Sequence, residues 1–189
     1  MPRVSGRELR NSSRRIPCPR LDSTVGRTEG ADGFRMTARL VTEGYRITTG
    51  DGRSTEELVE AGEYGYAHSC LISENFPARH VEGQRVREIV LLEFDHDVTA
   101  EEAIVEAVEA GLERPMYEDA LHFGIEHPDV QRERPIVFLH DPWFGYFGRR
   151  DVVCLWSNAG SRELGLEGLD DSWSSNYRFA FVRRHYRKG

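Results

Sequence analysis

A chain of 189 residues is long enough for one folded domain and a short tail. It carries a net charge of −7 with 30% charged residues, and it has no run of about 18 apolar residues, which argues against a membrane-spanning helix. The three cysteines lack C-x-x-C spacing, so neither a disulfide framework nor a four-ligand zinc site is expected. The basic N-terminus lacks the apolar stretch of a secretory signal, and this together with reduced thiols favours the cytoplasm.

The charge is distributed unevenly along the chain. Residues 1–35 contain eight Arg and four acidic residues, so their net charge is +4. Because the whole chain has a net charge of −7, residues 36–189 have a net charge of −11. The first 35 residues also have few apolar positions and no helix or strand period, which predicts a disordered basic tail. We expect a single domain over residues 36–185, with Met36 as a candidate for the true start. Such an acidic domain lacks the basic face that phosphate contacts need, which argues against nucleic acid as a partner.

The first half of the domain begins with a strand pattern, a helix pattern and a second strand pattern. Residues 36–47 contain strand-forming residues in partial alternation. Ser54 and Glu57 form a capping box, which predicts a short helix that ends at Gly62. Residues 86–94 form the strongest strand pattern, and their continuous apolar run favours a central position in a sheet.

Helices are predicted before a strand-rich end of the chain. A second capping box begins at Thr99 and predicts a helix that ends at Gly111. Pro115 opens a third helix that reaches about Ile125. Three strands follow: Ile136–Leu139, Val152–Trp156 and Tyr177–Val182. Helices that precede a strand-rich end predict an α+β fold with a mixed or antiparallel sheet and two to three helices.

Several stretches of the chain resemble an uncharacterised family of small bacterial proteins over about residues 37–183. The stretches that carry the resemblance are Tyr45-Arg46, Arg53–Glu57, Glu74–Pro77, Pro128–Ile136 and Trp173–Arg183. The family has no assigned activity, so the resemblance implies no catalytic residues.

A second resemblance covers about 70 residues and is to bacterial C-type-lectin-like domains of the formylglycine-generating-enzyme type. It is carried by Arg114–Glu118, Leu155–Ser157 and Phe181–Arg184, and it implies a lectin-like fold. The first motif lacks the Leu and Thr of those domains. The paired cysteines of the formylglycine enzymes are absent near this C-terminus, so their oxidase chemistry is not carried over.

Aromatic and Arg side chains concentrate in two predicted loops, 143–150 and 157–176. Exposed aromatic side chains would supply rigid apolar anchors for a partner or a sugar, and Arg beside them could add cation–π or anion contacts. The candidate binding residues are Trp143, Phe144, Tyr146, Arg149, Arg150 and Trp173. We expect a binding module for an unknown protein or small ligand, without a cofactor. The alternative is that the aromatic loop folds inward and closes the core.

A catalytic interpretation depends on histidines. His140 and Asp141 close a predicted strand, and with His122 they could form the site of a small cytoplasmic enzyme. No G-x-S-x-G motif supplies a nucleophile for them. Glu118, His122 and Glu126 are spaced to share one helix face. That spacing could hold a metal, but a solvated polar stripe explains it as well, and no metal site is predicted.

Overall fold

The computed structural model describes residues 39–40, 44–78 and 83–184, with the side chains of all of these except Arg39, Leu40 and Tyr146. The predictions of a disordered tail over residues 1–35 and of a start at Met36 lie outside the described residues.

A mixed sheet of nine strands runs through the described part of the chain. The strands are β1 (Arg39–Leu40), β2 (Tyr45–Thr49), β3 (Tyr66–Ala67), β4 (Arg85–Glu93), β5 (Leu112–Glu113), β6 (Ile136–Phe144), β7 (Arg150–Asn158), β8 (Ser161–Gly168) and β9 (Arg178–Arg183). Their order is β1-β4-β9-β6-β7-β8-β3, with β2 also beside β4 and β5 beside β9. Neighbours are antiparallel except for the β6–β9 and β3–β8 pairs.

Four α-helices accompany the sheet in the described residues: α1 (Thr55–Ala61), α2 (Ala100–Glu109), α3 (Tyr117–Glu126) and the single turn α4 (Val130–Glu133). Both predicted capping boxes are present, at Ser54 and at Thr99. The prediction of an α+β fold is confirmed, with α4 as the helix beyond the two to three expected. None of the helices in the described ranges is both long and apolar enough to cross a membrane.

The centre of the sheet is buried on both faces. In β4, Ile89 and Leu91 join the core cluster that packs under α1 and α3. Val90 and Leu92 alternate with them, so they point to the opposite face, and they are equally buried. The continuous apolar run of residues 86–94 therefore belongs to a strand that is buried on both faces and paired on both sides, although β4 is second in the strand order and not at the middle of the sheet.

Helix α3 is buried along nearly its whole length, which the sequence did not predict. It contacts β2, β6 and β7 as well as α1. Glu118 and His122 are therefore buried, and the interpretation as a solvated stripe is wrong for both. Burial lowers the pKa of His122, because the charged form loses its hydration.

The segment predicted as the binding loop 157–176 is largely regular structure, so that prediction is wrong for residues 161–168. Strands β7 and β8 form a hairpin with the two-residue turn Ala159-Gly160, where both residues have positive φ, 47° and 84°. Strand β8 was not predicted because Arg162 and Glu163 interrupt its apolar pattern. Both are buried in the structure, where charged residues are seldom found.

Candidate functional site

Strand β6 contains a large bulge just before its aromatic end. Phe138 lies opposite Val153, but Trp143 lies opposite Asp151. The register therefore places three more residues on β6 than on β7 between these pairs. Bulges bend a strand and redirect its side chains, and they are frequent beside functional sites.

The imidazole of His140 fills the inner side of this bulge. His140 is only 2% exposed. Its Nε2 lies 2.9 Å from the amide nitrogen of Val153, and its Nδ1 lies 2.6 Å from the carbonyl oxygen of Asp141. Since an amide can only donate and a carbonyl can only accept, Nδ1 carries the proton and Nε2 accepts. Burial, together with the nearby Arg114, lowers the pKa of His140 to about 4, so the ring is neutral.

Arg114 holds the outer side of the same bulge. Its guanidinium donates to the carbonyl oxygens of Leu139 and His140 at 2.8 and 2.6 Å, and to Oδ1 of Asp141 at 3.1 Å. Three acceptors in consecutive residues match the planar fork of Arg. The bulge is thus fixed from both sides, which makes the direction of the residues after it a defined feature of the fold.

The bulge directs the end of β6 into the wall of an open groove of about 420 Å³. The groove is lined by Asn75, Phe76, Pro77, Tyr117, Asp141, Pro142, Trp143 and Phe144. Its volume lies in the range of small-ligand pockets. The lining is mainly aromatic and proline, with one charged residue.

The aromatic rings of the groove pack on one another. The centroid of Phe76 lies 5.7 Å from Trp143 and 5.3 Å from Tyr117, distances typical of favourable aromatic pairs. Phe76 and Tyr117 are buried and form the floor. Trp143 is half-buried and Phe144 is 66% exposed. The floor also contacts the bulge, because the His140 ring meets both Phe76 and Tyr117 edge-on at 6.3 Å.

The opposite wall, residues 75–77, is held by helix α1. The buried hydroxyl of Thr55 donates to the carbonyl oxygen of Phe76 at 2.5 Å. Nδ2 of Asn75 donates to the carbonyl oxygen of Cys70 at 2.9 Å. Both walls are therefore formed before any ligand arrives, and a ligand would not have to order them.

Gly145 is needed where it stands. A Cβ at this position would lie 2.9 Å from both Cζ3 of Trp143 and Oδ2 of Asp151. A larger residue would therefore push the indole away from its place in the groove.

Phe147 combines full exposure with a rare backbone conformation. Its ring lies entirely in solvent, and its φ is +65° within the 3₁₀ turn Tyr146–Gly148. Bulky residues seldom adopt positive φ, and such outliers concentrate at functional sites. Phe147 thus adds a second exposed aromatic ring to the β6–β7 connection, three residues after Phe144.

The two predicted Arg residues of this connection are engaged in ion pairs. Arg149 lies 2.5 Å from Asp151, and Arg150 donates two hydrogen bonds to Asp170. The Arg150 guanidinium lowers the pKa of the Asp170 carboxyl. Neither Arg lines the groove. For Tyr146, the structure gives a position in the turn only.

Trp173, predicted to bind a ligand, belongs to the core instead. It is 2% exposed, pairs through its backbone with Val98, and its ring meets Tyr177 and Phe179 edge-on. The prediction failed because residues 157–176 were expected to form a surface loop, whereas the backbone bridge to Val98 holds Trp173 in the core.

The sequence missed Phe76 and Tyr117, which form the groove floor, and Arg114, which fixes the bulge. The segment Glu74–Pro77 carries part of the family resemblance, which implies no binding role for it. These residues lie more than 20 positions from Trp143 along the chain, so no local pattern connects them to it.

The groups of the catalytic alternative do not form a dyad. The Asp141 carboxylate binds Arg114 and is 83% exposed, whereas the hydrogen bond between His140 and Asp141 is to the backbone carbonyl and not to the carboxylate. His122 does not line the groove. Within the described ranges, no group of three or more His, Cys, Asp or Glu is arranged to hold a metal ion.

No protein-family model, no curated protein and no solved structure matches the chain.

Proposed function

We propose that this domain is a non-catalytic recognition module whose binding surface is the aromatic groove between β6 and residues 75–77. One observation carries the proposal. The bulge is fixed by His140 on one side and Arg114 on the other, and it holds Trp143 and Phe144 partly open to solvent beside a buried aromatic floor.

The energetics favour binding at this place. Phe144 and Phe147 are large apolar side chains that the folded domain leaves in water. Covering such a side chain contributes about 1.5–3 kcal/mol. Aromatic anchors set against a preformed pocket are typical of residues that dominate binding energy.

The chemistry of the lining favours recognition over catalysis. Asp141 and Tyr117 are the titratable side chains in the lining. Asp141 is already paired with Arg114, and no Ser, Cys, Lys or His lines the groove as a nucleophile or general base. The alternative of a small enzyme would need the imidazole of His140 free, and both of its nitrogens bind backbone groups.

The proposal is tested by mapping ligand binding with amide and indole NMR signals. The probes differ in chemistry: a glucose tetrasaccharide, a neutral proline-containing peptide, and a basic and an acidic peptide of equal length. The Trp143 indole signal is assigned by its absence from the spectrum of a Trp143→Phe variant. The indole signals of Trp156 and Trp173 serve as internal controls, because both side chains are buried.

We expect at least one probe to shift the Trp143 indole and the amides of residues 75–77 and 141–144, while α2 stays unchanged. If every probe leaves Trp143 unmoved at millimolar concentration, or shifts only another surface, the proposal is wrong.

A further inference from the structure

We infer that the groove recognises a basic side chain, Arg or Lys, in an extended peptide segment of a partner protein. This inference rests on the proposed function and names the chemistry of its ligand.

The aromatic lining of the groove suits a cation. A cation is attracted to the face of an aromatic ring, most strongly to Trp. Trp143, Tyr117 and Phe76 are packed together in the groove with Phe144 beside them. Neutral groups can also stack on such rings, so the lining alone does not decide the charge of the ligand.

The charged residue at the groove favours a cation as well. Asp141 is the one charged residue among those that line it, and its carboxylate is largely exposed. Arg114 occupies Oδ1 at 3.1 Å. A carboxylate has about four acceptor sites on two oxygens, so Asp141 can bind a second cation.

The domain as a whole is acidic. Residues 36–189 carry a net charge of −11. The field of such a domain attracts basic segments and repels acidic ones, which raises the association rate for the former. Local and overall charge therefore favour the same kind of ligand.

A peptide uses this surface better than a small cation. Phe144 is mostly exposed at the groove and Phe147 is fully exposed further along the same connection. A small ammonium ion would contact the groove alone and leave the Phe147 ring exposed to solvent. A peptide can place its basic side chain against the half-buried ring of Trp143 while its neighbouring residues cover Phe144 and Phe147.

The test is isothermal titration of the full chain with three matched peptides. The first has one central Arg flanked by Pro and Leu, the second has citrulline at that position, and the third has Glu. Citrulline has nearly the shape of Arg but no charge. Comparing the affinities of these two peptides therefore tests the role of the charge without a substitution in the protein. We expect the citrulline peptide to bind about tenfold more weakly than the Arg peptide, given the strength of a partly desolvated cation–π contact.

Added salt should weaken binding of the Arg peptide and leave the citrulline peptide unchanged. Asp141→Asn should weaken the Arg peptide about fivefold and spare the citrulline peptide. The matched control Glu109→Gln removes the same charge from the exposed end of α2 and should change neither affinity. A change as large for the control as for Asp141→Asn would overturn the role of Asp141.

The outcomes separate this inference from the proposed function. Equal affinity for the Arg and citrulline peptides at Trp143 overturns the inference and leaves the recognition module intact. Tetramethylammonium that binds as tightly as the Arg peptide overturns the choice of a peptide. If no peptide, saccharide or ammonium ion shifts Trp143, the proposed function fails as well.

Discussion

The imidazole Nε2 of His140 accepts a hydrogen bond from the backbone N–H of Val153 at 2.9 Å. A side chain thus replaces a strand-to-strand bond at the point where β6 leaves the register of β7. A buried amide without an acceptor would destabilise the fold, so this contact lets the strand bulge toward the groove at little cost. The same ring supports Phe76 and Tyr117 in the groove floor.

Replacing His140 should therefore destabilise the domain. His140→Leu replaces the imidazole with an apolar side chain of similar size, which leaves the Val153 N–H unpaired. We expect the free energy of unfolding in urea to fall by about 1–3 kcal/mol. His140→Gln offers an acceptor and should recover part of the loss. Equal stability of the Leu variant and the native chain would show that the bond contributes nothing.

The stability of the domain should depend on pH through His140. Its pKa is about 4 in the folded state against an ordinary value of 6.5. As the pH falls below 6.5 the unfolded chain takes up the proton first, so the contribution of His140 is full above pH 6.5 and is lost toward pH 4. The loss is up to about 3 kcal/mol at 1.36 kcal/mol per pKa unit.

His122 contributes in the same direction, since burial lowers its pKa too. The comparison is therefore between the native chain and His140→Gln, by urea unfolding at a series of pH values. The variant should show a shallower slope over this range. Identical slopes would contradict the pKa assigned to His140.

Phe147 should lower stability through its backbone and raise affinity through its ring. Phe147→Gly relieves the positive φ and should raise the free energy of unfolding by about 0.5–1 kcal/mol. Phe147→Ala removes the same ring but retains the strained conformation, so it should bring no such gain. Thermal unfolding measures the first effect and peptide titration the second. A Gly variant that binds as tightly as the native chain would remove Phe147 from the recognition surface.

Arg162 should be a major stabilising residue despite its charge. It is buried, donates to Gly62 O at 2.7 Å, to Gly124 O and to Gln131, and lies 4.8 Å over the ring of Tyr64. The first two carbonyls lie at the C-terminal ends of α1 and α3, where a cation is favoured.

Arg162→Met retains most of the apolar stem and loses these bonds, so we expect a cost of at least about 2 kcal/mol in urea unfolding. The control Arg183→Met removes an exposed ion pair with Glu88 and should cost less than about 1 kcal/mol. Similar costs for the two variants would contradict the role assigned to Arg162.

The sequence predicted the fold class because its strongest signals are local. Ser54 and Thr99 mark helix starts through capping boxes that the structure reproduces, and the apolar run of β4 by itself indicates a strand that is buried on both faces. Strand β8 was not predicted because the helix ends that bind the buried Arg162 are distant in the chain. No neighbouring residue in the sequence indicates that Arg162 is buried.

The groove was only half predictable for a related reason. Trp143 and Phe144 stand out in the sequence, but the strand before them was predicted to end at Leu139. The following Asp141-Pro142 pair is typical of a turn. The structure continues β6 to Phe144 through the bulge. The floor residues Phe76 and Tyr117 come from other segments, and only tertiary packing brings them to Trp143.

The most direct test of the groove as a recognition surface is a pair of matched aromatic deletions. Phe144→Ala removes an exposed ring from the groove, and Tyr66→Ala removes an exposed ring from β3, outside the groove lining. The two variants are titrated with the probe that shifts Trp143 most, and their unfolding free energies are measured in parallel. We predict that Phe144→Ala weakens binding more than about fivefold, the effect of a true anchor, with stability nearly unchanged, whereas Tyr66→Ala leaves the affinity as it was. Equal affinities for the two variants would contradict the account.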